Sequence, residues 1–234
     1  MKKKLIMLAM CATLALGAVG LTACGSEGGA DAPTATVKEA VKAETADEAI
    51  AALKAGNADY LKGTATMNVG SELRDDLATN GQFPHTVVIT CSDSRVPPEL
   101  LFNSSLGEIF VIRTAGNVVD DFEIGSVEYA ADHLGSPLVV VLGHSHCGAV
   151  GAAVEGHAAG YIESIVHEIT PSVEEAKKTA SEDEVAAVAE NLNIQNSIDN
   201  LRQSDILKNL EKEGKCKIVG AKYDIETGAV EFLD

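Results

Sequence analysis

Tryptophan is absent from this chain, and aromatic residues make up only 4% of it. Ala, Val, Ile and Leu must therefore fill the core, and no site built on an indole ring is available. Positive charge is scarce as well. Eighteen Lys and Arg face 35 Asp and Glu, a formal net charge of −17. Such a surface repels phosphate backbones, so nucleic acid is not an expected partner; the charge bears on solubility more than on substrate. Cysteine is also sparse. Of five residues, Cys11 and Cys24 belong to the N-terminal segment, leaving Cys91, Cys147 and Cys216. An odd set builds no disulfide framework, although a single Cys91–Cys147 bridge is the structural alternative to a chemical role. Past the N-terminal segment no apolar run is long enough to span a bilayer. What is there is 234 residues, 46% hydrophobic and 23% charged, the make-up of one ordinary domain with a real core.

The N-terminal segment reads as targeting rather than fold. Lys2, Lys3 and Lys4 form a positive start, and an apolar stretch follows from Leu5 to Leu16. Leu21-Thr22-Ala23-Cys24 resembles a bacterial lipobox, in which cleavage leaves the cysteine as a lipid-bearing N-terminus. The expectation is a lipoprotein signal over 1–23, lipidated Cys24 with a Gly-, Ala-, Ser- and Pro-rich tether over 24–44, and one catalytic domain over 45–234. A plain secretory signal with an incidental cysteine is the simpler alternative. Either way the domain is expected outside the cytoplasmic membrane, on its outer face or in a periplasm.

Hydrophobic periodicity then sets out an α/β domain. Thr45, with Glu48 three residues on, is a helix start of capping-box type; Gly56-Asn57 is expected to interrupt or end that helix. A short helix is expected over 71–77, stopped by Asn80-Gly81. Continuous β-branched runs at 86–90, 109–112 and 138–142 read as buried strands, with late strands at 217–223 and 230–233 about a turn at Glu226-Thr227-Gly228. Helices are expected after Pro97-Pro98, from Asp120 or Asp121 to about Leu134, after Cys147 to about Glu155, over 162–179 and over 182–210. The order predicts a central sheet of four parallel strands plus an antiparallel edge strand, flanked by helices.

Two strand ends carry the chemistry. Val139-Val140-Val141-Leu142-Gly143 delivers His144-Ser145-His146-Cys147, and Val87-Val88-Ile89-Thr90 delivers Cys91-Ser92-Asp93-Ser94-Arg95. Parallel α/β sheets place their sites at strand carboxyl ends. Two Cys and one His give three zinc ligands with a fourth position open, the count of catalytic zinc. Such an ion lowers the pKa of bound water to about 7, so that zinc-bound hydroxide is available as a nucleophile. His146 competes with His144 as the ligand, because spacing alone does not separate them. An Arg fork holds a carboxylate bidentately, so Asp93 held by Arg95 is placed to orient the nucleophile, or to become a fourth ligand if Arg95 lets go.

These segments carry a resemblance. Cys-Ser-Asp-Ser-Arg-Val-Pro-Pro-Glu at 91–99 and Gly-His-Ser-His-Cys-Gly-Ala at 143–149 resemble the paired signature motifs of the β-class carbonic anhydrases. Arg113-Thr114-Ala115-Gly116-Asn117 is similar to the family segment between them, and the likeness extends over roughly 45–233. It implies one zinc per chain held by Cys91, His144 and Cys147, an Asp93–Arg95 catalytic dyad, and reversible hydration of CO2 to bicarbonate and a proton. It further implies a narrow apolar pocket from Gln82, Phe110, Ala115, Tyr129 and Gly148, lying at the interface of a homodimer or higher homo-oligomer. Asp59 and Tyr60 stand where the family has Arg and Phe, in positions expected to concern dimer packing. Val88 stands where one subgroup has the Trp of a regulatory bicarbonate site, so that regulation is expected to be absent.

Two other functions use the same residues: hydrolysis of carbonyl sulfide or carbon disulfide on the same zinc, and a catalytically silent zinc-binding lipoprotein. The intact dyad argues against the second. Other groups have simpler readings. Cys216 is expected to be a small core residue, His85, His133, His157 and His167 to be surface or cap residues, His146 to be a rim residue, and the acidic run 182–190 to be a solvated helix face.

Overall fold

The structure is a computed structural model in which residues 39–233 are described. The expected signal, Cys24 and most of the tether lie outside the described residues. The element order is α1 (Ala46–Leu61), α2 (Ser71–Asn80), β1 (Thr86–Cys91), α3 (Pro98–Leu101), β2 (Ile109–Thr114), a 3-10 turn (Ala115–Asn117), α4 (Asp121–Glu128) with a π turn (Tyr129–His133), β3 (Leu138–His144), α5 (Gly148–Glu155), α6 (Ile162–Ala176), α7 (Val185–Leu201), α8 (Asp205–Lys212), β4 (Lys217–Tyr223) and β5 (Val230–Leu233). The sheet runs β2-β1-β3-β4-β5. Its first four strands are parallel and β5 is antiparallel on the edge, as the sequence predicts.

Alternation along the strands divides the core. Val87, Ile89, Val139, Val141 and Ile218 face α4, α7 and α8, packing on Val127, Ile194, Ile198, Leu201 and Leu207. Val88, Val140, Leu142 and Ala221 face α1 and α3, packing on Ala49, Leu53, Leu101 and Phe102. Val88 is fully buried there. A third cluster joins α5, α6 and α7 around Cys91, Cys147, Val150, Ile169 and Val173.

Two expectations are corrected. First, α1 begins on the expected Thr45–Glu48 capping box but runs through Gly56-Asn57. Gly56 is there for contact: a Cβ on it would lie 1.7 Å from the Phe102 carbonyl oxygen. Asn57 is buried, its amide donating to the Leu101 and Gly228 carbonyls at 3.1 Å each and its oxygen accepting from Val230 N–H at 3.0 Å. Second, the helix expected over 182–210 is two helices. Arg202 and Gln203 close α7, and Ser204 caps α8 by accepting from Leu207 N–H at 3.1 Å. Tyr60 packs within its own chain on Gly228, and burial pushes the Tyr223 hydroxyl up to about 12.

The sheet positions the site by letting α7 approach closely. Cβ atoms on Gly143 and Gly220 would come within 2.6 and 2.9 Å of Ile194. With side chains there, α7 would stand off the carboxyl end of β3, where His144 emerges.

Candidate metal centre

Cys91 ends β1 and His144 ends its neighbour β3, so the parallel register brings them side by side. Cys147 follows the two-residue turn after β3 and opens α5. Their ligating atoms lie within 4.8 Å of one another and all three residues are buried. Zinc bonds of about 2.0–2.3 Å in a tetrahedron need ligand separations of roughly 3.5–4 Å, so the three fit one ion with little movement.

The imidazole decides between the two histidines. His144 Nδ1 lies 2.9 Å from the Ser145 carbonyl, which has only lone pairs to offer, so Nδ1 carries the proton. Nε2 is then a bare acceptor, buried and, among the described residues, without a hydrogen-bond partner. Leaving such a group buried costs about 1–3 kcal/mol; a metal ion satisfies it. His146 has φ +56° and is turned outward, its Nε2 lying 3.6 Å from Glu226 Oε1. It is the rim residue the sequence predicts.

Electrostatics favour the same reading. The thiols of Cys91 and Cys147 share a proton, which draws Cys91 towards the thiolate, helped by His144 and by Gly116 N–H, which donates to its Sγ at 3.2 Å. The same sharing, with burial, pushes Cys147 up. Burial opposes protonation of His144, but the facing Cys91, the Ser145 carbonyl and the charge of Asp93 outweigh this and raise it. A divalent cation would take both thiolates and displace these protons. Cys216 is buried and free, its thiol pushed up to about 12 chiefly by burial.

Asp93 lies beside this cluster rather than in it. Arg95 Nε donates to Oδ1 at 2.9 Å and Nη2 to Oδ2 at 2.7 Å, a bidentate fork. The fork, against some burial, holds the Asp93 carboxyl at about 2. Arg95 Nη2 also reaches the His146 carbonyl at 3.3 Å, linking the two motifs.

The expected pocket residues divide into two groups. Ala115 follows β2 next to Gly116, and Gly148 follows Cys147 with open space at its Cβ position; both adjoin the cluster. Phe110 and Tyr129 pack together with ring centroids 6.2 Å apart, and Tyr129 shares a shallow depression with Gln82, Phe83 and Leu134. Phe110 pairs with Val87 whereas Thr114 pairs with Cys91, so this second group stands four residues, about 13 Å, back along the strand. A single chain does not bring the two groups together. A separate groove on the β4–β5 side, lined by Lys54, Ile198, Lys217 and Phe232 among others, has none of this chemistry.

Several residues around the centre were missed by sequence reasoning. Arg113 Nε donates to the Cys91 carbonyl at 3.0 Å and Nη2 to the Asp93 carbonyl at 2.6 Å, bracing the loop between them. Glu190, expected on a solvated face, is 6% exposed; it pairs with Lys222 at 2.9 Å and accepts Cys147 N–H at 3.1 Å. Asn193 donates to the Gly116 carbonyl at 2.7 Å. Away from the centre, at the start of β1, His85, expected to be a surface or cap residue, is buried beside Thr86 Oγ1 at 2.8 Å.

The comparisons agree with this geometry. The carbonic anhydrase family model matches residues 86–230. A carbonic anhydrase of Mycolicibacterium smegmatis is 40% identical over 187 residues, 77% of this chain and 90% of that protein. Among solved structures, the Coccomyxa β-carbonic anhydrase in complex with acetazolamide is similar with a TM-score of 0.64 and 30% identity, covering 70% of this chain and 78% of that one. A tetrameric β-carbonic anhydrase of Sordaria macrospora gives 0.63 and 28%, covering 69% and 86%. The chain belongs to the carbonic anhydrase family, in its β class. It is an enzyme of that class with zinc as its metal, and Cys91, His144 and Cys147 are the group that could hold the ion.

Proposed function

We propose that this protein catalyses the reversible hydration of CO2 to bicarbonate and a proton, with zinc on Cys91, His144 and Cys147, at the outer surface of a cell membrane. The observation that carries the site assignment is the bare, buried His144 Nε2 facing two thiols. Zinc bound there supplies Lewis acidity that makes water a nucleophile near neutral pH. The chain's own residues do the rest. Asp93, ionised in the Arg95 fork, only accepts hydrogen bonds, so it orients the hydroxyl proton of the nucleophile and points its lone pair at carbon. Arg113 fixes the main chain of Asp93 and keeps that acceptor in place. Ala115 and Gly148 offer no charge to grip, which suits a small uncharged substrate and leaves bicarbonate free to depart.

Gln82, Phe110 and Tyr129 complete the pocket from a second copy of the chain. Support comes from Phe110, which lies on β2, an edge strand whose apolar residues Phe110, Val111 and Ile112 are only half-buried, with Tyr129 packed on it and Gln82 beside Tyr129, and from the tetrameric Sordaria relative. Cys24 carries the lipid in this reading. Two experiments test the parts. Asp93→Ala retains zinc and loses most CO2 hydration; wild-type activity in that variant contradicts the role of Asp93. Labelled palmitate enters the wild-type protein in cells and fails to enter Cys24→Ala; equal labelling removes the lipid assignment.

A further inference from the structure

The residues that hold the two cysteines in place come from one helix. Glu190, Asn193 and Ser197 lie at i, i+3 and i+7 on α7, one stripe of its surface, and all three are buried. Glu190 accepts the main-chain N–H of Cys147 at 3.1 Å and is held by Lys222 of β4 at 2.9 Å. Asn193 donates to the Gly116 carbonyl at 2.7 Å, and Gly116 N–H in turn donates to Cys91 Sγ at 3.2 Å. Ser197 donates to the Asn117 carbonyl at 2.9 Å, and the Asn117 amide returns a bond to it at 3.4 Å. Gly116 has φ +70° and Asn117 has φ +48°. Unsupported, that left-handed pair is a strained turn; tied to α7, it keeps one N–H aimed at sulfur.

We infer that this stripe of α7 is the support that sets both thiolate ligands, with Glu190 the positioning residue for Cys147 and Asn193, acting through Gly116, the positioning residue for Cys91. The inference rests on the metal assignment above. None of the three touches substrate. Glu190 is buried at an energetic cost that a bare helix–sheet contact does not require, and its carboxylate is spent on a ligand's main chain and on Lys222. Partners behind the ligands tune metal affinity by about 10- to 100-fold. An N–H bond to a thiolate also withdraws charge from it, so the Gly116 N–H that Asn193 holds in place tunes how strongly Cys91 donates.

The test measures zinc affinity of the full chain by chelator competition, with the thiolate-to-cobalt absorption of the cobalt(II) form and thermal unfolding of the metal-free protein. Glu190→Ala is expected to fold and to bind zinc about 10- to 100-fold more weakly, with a shifted cobalt band. Glu190→Gln keeps an acceptor for Cys147 N–H and is expected to restore both, which a purely structural ion pair with Lys222 would not allow. Asn193→Asp is nearly isosteric but lacks the donor, and is expected to weaken zinc through Cys91. It decides the matter on the same criteria if Glu190→Ala does not fold. Folded variants with wild-type zinc affinity and cobalt spectrum overturn the inference. A wild-type chain that takes up no zinc, or keeps it after Cys147→Ser, overturns the metal assignment instead.

Discussion

Replacing Arg95 with Met removes the fork and leaves the rest of the loop intact, since Arg95 N–H still donates to Asp93 Oδ1 at 2.9 Å. The fork is the largest contribution to lowering the Asp93 carboxyl from 3.8 to about 2, worth roughly 2 kcal/mol at 1.36 kcal/mol per unit. The Arg95 side chain is 51% exposed, so solvent screening reduces this to about 1 kcal/mol. That free energy holds Asp93 on Arg95 rather than free to turn to the metal, and 1–2 kcal/mol is a factor of about 5–30 in such a population. The expected fall in kcat/KM for CO2 hydration therefore lies between about 5-fold and, where orientation of the proton acceptor is lost altogether, about 100-fold, with zinc content unchanged. Stability gives a second readout. The folded carboxyl lies below its unfolded value, so the fork stabilises fully above about pH 4, and the contribution disappears as pH falls through about 2. Unfolding free energies of wild type and Arg95→Met from urea titration should differ by about 1 kcal/mol at pH 7 and converge towards pH 2. Unchanged kcat/KM with parallel stability curves would refute the reasoning.

Three further outcomes follow from the same geometry. Gly56→Ala, a change that stabilises a free helix by about 1 kcal/mol, should here destabilise by about 3 kcal/mol or more, because the new methyl meets the Phe102 carbonyl; chemical denaturation reads the sign. Cys91→Ser, His144→Ala and Cys147→Ser should each lose zinc, measured as metal per chain, while Cys216→Ser, remote in the α8–β4 core, should keep it. The hydration rate should climb between about pH 6 and 9 as the activated water ionises; a flat profile across that range counts against the step.

Strands and ligands were legible because their signals are local. Continuous runs such as Val139-Val140-Val141 have few readings other than a buried strand, and a Cys or His at the end of one lands on the carboxyl edge of the sheet. The choice of His144 over His146 was not legible from spacing; the Ser145 carbonyl, which fixes the imidazole proton, makes it. What escaped was non-local. Gly56-Asn57 has the composition of a helix stop, and only the approach of Phe102 explains its use inside α1. Glu190 sits in an acidic run that reads as solvated, and nothing nearby announces that Lys222, on a strand formed later in the chain, meets it in the core. The break between α7 and α8 falls in a polar stretch where Ser204 caps without any Gly or Pro to mark it. Gln82, Phe110 and Tyr129 show a different limit, since one chain places them at the β2 edge and away from the cysteines.

The most direct test of the account is stopped-flow CO2 hydration on the purified protein, with zinc counted on the same sample. The account predicts about one zinc per chain and fast hydration that disappears with a chelator and returns with added zinc. Stoichiometric zinc without hydration, or hydration that survives complete removal of the metal, would contradict it.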